Sequence, residues 1–187
     1  MDNETENNEI KDYLSKLEEI SKKFSEIDKK YKEYKTANQT LFGSIYKGFV
    51  GSTAKDGYQQ FTDLKEKLDS FIKTEKEFTN QLNDQSLSAK EKTSVTMKSM
   101  QGVNVLKNSF EDSKFDENFT KRLNDMNNKN SSITQKSLKE LCDSVINSCD
   151  SIKQKRTASF KDLNNSIQKE NTIKKVKNQG GQNIFNR

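Results

Sequence analysis

The chain has 187 residues, of which 29% are apolar and 33% charged, with a mean hydropathy of -1.07 and a formal net charge of +5. That balance excludes a thick globular core and suits thin helical bundles, in which each helix buries only a stripe. Histidine, proline and tryptophan are absent; the first absence removes the commonest general base and zinc ligand, and the second leaves nothing to interrupt long helices.

Residues 1–9 are acidic and polar and are expected to be loose; they lack the basic and apolar regions of a secretory signal. From Ile10 the apolar residues alternate at spacings of three and four: Ile10, Tyr13, Leu17, Ile20, Phe24, Ile27, Tyr31 and Tyr34, continuing through Leu41 and Ile45. Seven residues are nearly two helical turns, so these positions form one narrow seam that requires a partner helix. A helix of this length would span about 60 Å, which predicts an elongated molecule. Asn38 takes a seam position, where it either fixes register, as a lone Asn does in coiled coils, or marks a bend.

Four glycines between positions 43 and 57 lower helix propensity and predict a hinge. A second seam follows, carried by Tyr58, Phe61, Leu64, Leu68, Phe71, Ile72, Phe78 and Leu82. Its heptad phase is out of step with the first, so one straight coiled coil through both is not expected. A turn over 83–88 leads to Ser88-Ala-Lys-Glu91, the pattern of a capping box opening a third helix. That helix carries Val95, Met97, Met100, Val103, Leu106 and Phe110, but Thr, Ser and Gly102 dilute the stripe, making it the weakest of the set. A short stripe of Phe115, Phe119, Leu123 and Met126 precedes a loop near 127–132. The last helix is expected to bury Ile133, Leu138, Leu141, Val145, Ile152, Phe160, Leu163 and Ile167, and residues 171–187 read as a flexible basic tail. The expected fold is therefore all-α, an elongated helical bundle or coiled coil of about four helices in a single domain over residues 10–170.

The motifs of chemistry are missing. Cys142 and Cys149 are too few for a structural zinc site, and about 10 Å apart along one helix they are too far for a disulfide with each other. They read as free, small core residues of a reducing compartment or as an interchain bridge in a parallel dimer. The glycines have neither the spacing nor the following Lys-Ser or Lys-Thr of a phosphate loop. No cofactor, metal or catalytic residue is expected, and the chain reads as a non-enzyme. The charge is uneven: from Ser151 onward nine basic residues face two acidic ones, so this end is strongly cationic. Lys153, Lys155, Arg156, Lys174, Lys175 and Lys177 are the candidates for contact with an anionic surface such as a membrane. Aromatic residues do not interleave them as a base-stacking platform would, so sequence-specific nucleic-acid binding is not indicated.

In the middle of the chain, Tyr46 and Phe49, then Asp56-Gly57, Phe61, Asp63-Leu64, Leu68 and Phe71 follow one another at helical spacing. Over about residues 31–80 the chain resembles the last long helix of the V domain in ALIX-type endosomal sorting adaptors. The resemblance implies an all-helical arm whose apolar groove takes short YPxL-like peptides, with Leu64, Leu68 and Phe71 nearest the groove lining. The functional expectation is a cytoplasmic interaction module, an adaptor or scaffold that meets other proteins through helical seams or a peptide groove, peripheral to endosomal membranes, with a homodimer as one way to close the seam. The alternative is a membrane-surface binder of the BAR-like kind using the basic last helix.

Overall fold

A computed structural model describes residues 3–41, 53–113, 115, 119–121, 123 and 135–181. Among the described residues it contains four long helices, α1 (Asn3–Leu41), α2 (Thr53–Asn83), α3 (Ala89–Glu111) and α4 (Gln135–Gly181), and residues 119–121 and 123 are helical as well. No strand occurs among the described residues. The all-α bundle is thus the fold.

The helices pack as a closed ring in chain order, α1 against α2, α2 against α3, α3 against α4, and α4 back against α1. Each neighbouring pair is antiparallel, as the side-chain partners show. On α1 and α2, Tyr31 stacks on Tyr58, Phe24 on Phe61, and Glu18 binds Lys76. Lys67 reaches Ser109 and Glu75 reaches Ser99 between α2 and α3, while Lys107 binds Asp150 and Ser99 meets Arg156 between α3 and α4. This up-down-up-down order explains why a chain with so few apolar residues folds: each helix needs one stripe only, and four stripes close on one another. The seam of α1 therefore closes within one chain.

On α1 the buried residues are Ile10, Leu14, Leu17, Ile20, Phe24, Ile27 and Tyr31. Leu14 joins the stripe while Tyr13 is half-buried, with Lys16 Nζ 5.1 Å above its ring. On α2 the core takes Phe61, Leu64, Leu68, Phe71 and Ile72; on α4, Leu138, Cys142, Val145, Cys149 and Ile152. One end of the core is aromatic. Phe24 and Phe61 stack with centroids 5.2 Å apart, Phe110 meets Phe24 edge-on, and Phe119 lies 5.6 Å from Phe61.

The 83–88 turn forms as its sequence demands. Asp84 accepts the amide of Ser86, and Ser88 caps α3, its hydroxyl accepting from the Glu91 amide while Glu91 accepts from the Ser88 amide. Four expectations differ. Helix α1 reaches back to Asn3, into the segment expected to be loose, and α4 runs on to Gly181, through most of the expected tail. With no proline to stop it and few glycines to weaken it, the helix simply continues. Met97 is 48% exposed rather than part of the stripe, because Thr96 takes the inward position beside it. Leu141, Phe160, Leu163 and Ile167 are only half-buried. The hinge glycines before Thr53, the 127–132 loop, and the side chains of Tyr34, Asn38, Met126 and Ile133 lie outside the described residues.

Candidate functional site

The three residues expected to line a peptide groove, Leu64, Leu68 and Phe71, all face the bundle interior and are buried. Phe71 packs its ring over Gly102 of α3, where a Cβ would sit 3.8 Å from the ring carbons. These positions are core because α1 and α3 flank α2 on both sides and cover its stripe; in the closed bundle they offer no open groove.

The basic residues divide. Arg156 is not on a cationic surface: it is 0% exposed, in the middle of the bundle. Lys155 is half-buried and paired with Glu9 of α1, and Lys153 is half-buried as well. Lys174 is exposed, on the stretch Gln168–Lys174 in which every side chain faces solvent. The side chains of Lys175 and Lys177 lie outside the described residues.

Arg156 is the centre of a polar layer that spans three helices. Its Nη2 donates to Glu75 Oε1 at 2.6 Å and to Thr79 Oγ1 at 2.8 Å, and its Nε donates to Glu75 Oε1 at 2.9 Å and to Ser99 Oγ at 3.1 Å. The Ser99 hydroxyl donates to the Glu75 carboxylate, 2.8 and 2.7 Å from its two oxygens. Thr79 Oγ1 in turn donates to the Glu75 carbonyl at 2.8 Å. Glu75, Thr79 and Ser99 are all buried, so both charges are out of water, bonded directly to each other and to the two hydroxyls, while Arg156 Nη1 is buried with no hydrogen-bond partner among the described residues.

A signal for this layer exists in the sequence. Arg156 stands seven residues after Cys149 and fourteen after Cys142, Glu75 stands seven after Leu68, and Ser99 falls four residues from both Val95 and Val103. All three are therefore seam positions. A charge at the seam on one helix, an opposite charge at the seam on another and a hydroxyl on a third together denote an interior ion pair, which composition by half-chain conceals.

Both thiols are buried and free. Burial pushes Cys142 and Cys149 up from an ordinary value near 9 to about 12, and the nearby Asp143 and Asp150 carboxylates add to it. Such thiols are poor nucleophiles, because the thiolate is the reactive form. Cys142 lines a cleft of about 700 Å³ together with Phe110, Phe115, Thr120, Leu138 and Ile146. At the other face, Tyr58 donates to Asp28 at 2.6 Å. Burial pushes the Asp28 carboxyl up, but the bonds from Lys32 and Tyr58 outweigh it and hold the group below its usual range.

Among the described residues no cluster of three or more metal-ligating side chains occurs, and no helix is long and apolar enough to cross a membrane. Comparison with protein-family models, with curated proteins and with solved structures found no match.

Proposed function

We propose that the chain is a non-enzymatic interaction module, an adaptor or scaffold, whose partner-facing element is the end of α4. The observation that carries this reading is the division of labour in the fold. The four apolar stripes are spent on one another inside a single chain, while the 47-residue α4 presents a fully exposed stretch from Gln168 to Lys174, with Ile173 56% exposed. A helix of that length is about 70 Å long, and an unpaired helical end of this kind suits helix-in-groove binding.

A photo-crosslinking residue placed at Ile173 in the source cells tests the reading. Discrete adducts that disappear when the chain is cut after Gln168, with thermal unfolding unchanged, support it; no adducts at that position contradict it. Endosomal sorting is the setting we propose, on the resemblance of residues 31–80, and peptide capture at Leu64, Leu68 and Phe71 would then require the bundle to open.

The exposed Lys174 favours a second reading, attachment to an anionic membrane surface. The surface is smaller than the charge count implies, since Arg156 is internal and Lys155 is paired. Co-sedimentation with phosphatidylserine vesicles that fades as salt rises toward 0.5 M would favour it over the first reading.

A further inference from the structure

On α4 the buried side chains stop at the polar layer, although α3 still buries Val95 and Thr96 one turn beyond Ser99. Thr79 is the last buried residue of α2 and Val95 the first of α3, and no described side chain of α4 after Arg156 is buried. Before it, α4 buries Leu138, Cys142, Val145, Ser148, Cys149 and Ile152. The segment from Thr157 to Ile167 thus rests on the bundle with its apolar side chains, Phe160, Leu163 and Ile167, half-covered.

We propose that the Glu75–Ser99–Thr79–Arg156 layer is a clasp, the point from which the C-terminal part of α4 opens and recloses as a unit in one register. Two properties of the layer give it this character. Taking both charges out of water costs about as much as their attraction returns, so closing the layer contributes little compared with an apolar layer of the same size. Opening it rehydrates both groups, and on α4 the apolar side chains beyond it are no more than half-buried. The clasp is nonetheless strict in register. Arg156 meets Glu75, Thr79 and Ser99 through two of its nitrogens at 2.6–3.1 Å, and a shift of α4 by one turn would leave the carboxylate and the guanidinium buried and unpaired.

The inference stands apart from any partner and is tested on the full chain by amide hydrogen exchange. In the native protein, amides from Thr157 to Ile167 exchange at least tenfold faster than those from Leu138 to Ile152. Filling the layer with apolar groups, by E75L, S99A and R156M together, slows exchange over 157–167 tenfold or more. Equal protection on both sides of Arg156 would overturn the proposal, and so would an unchanged pattern in the filled variant, which would reduce the effect to ordinary fraying of a helix end. Should the filled variant fail to fold, Arg156→Lys serves instead, keeping the charge and losing the fork. It is expected to speed exchange over 157–167 severalfold while 138–152 stays as it was; no change, or a uniform change along α4, would overturn the clasp.

Discussion

At the scale of single residues, Arg156 is the side chain on which most of the interior polarity converges. Removing it leaves Glu75 and two hydroxyls in a dry interior, so Arg156→Ala is expected to cost about 3–5 kcal/mol of stability in urea unfolding, whereas Glu75→Leu with Arg156→Met is expected to be neutral or stabilising. A single-variant cost below about 1 kcal/mol would show that water reaches the pair. The cysteines make a second residue-level prediction. Their pKa values are raised on folding, so the stability they contribute is fully present below about pH 9 and is lost as pH rises toward 12. Replacing both with Ala should flatten the fall in urea midpoint between pH 8 and pH 11, and an identical fall in both proteins would contradict it. The cysteines were legible as small core residues from their seven-residue spacing. Arg156 continues that same spacing, but its partner lies 81 residues away, and a charge count near one terminus says nothing about which helix lies opposite.

At the scale of elements, α3 shows how polar dilution of a stripe can mislead. Thr and Ser make it look like the weakest helix, yet Thr96 and Ser99 are buried. Thr96 Oγ1 returns its proton to the Lys92 carbonyl at 2.9 Å, and Ser99 serves the polar layer, so neither leaves an unpaired group inside. Gly102 is the true weak point of this helix, since glycine in a helix interior costs about 0.5–1 kcal/mol relative to alanine. The added methyl of Gly102→Ala would meet the Phe71 ring at 3.8 Å, an ordinary contact. The variant should therefore gain about 0.5–1 kcal/mol and raise the melting temperature. A loss of stability would mean that the α2–α3 packing is tighter than this spacing. The capping box was readable from four residues because its partners are local, and so was the α1 seam, whose period repeats over many turns. Where α1 and α4 begin and end was not, because a polar, proline-free flank carries no stop signal.

At the scale of the whole molecule, the sequence showed that the seams needed partners and that the architecture was helical. It left open whether the partners came from the same chain, since a heptad stripe is equally suited to either. In the structure α1 and α4, the two helices farthest apart in sequence, are in contact, so the four stripes meet within one copy. The function we propose depends on that closure: with the stripes meeting inside one copy, the exposed end of α4 is the surface we assign to a partner. Light-scattering mass combined with small-angle scattering on the purified full-length chain tests the closure most directly. A single-chain mass of 21.6 kDa with an elongated profile is the expected result. Twice that mass in a longer particle, persisting on dilution, would mean that the seams close between chains, and would contradict it.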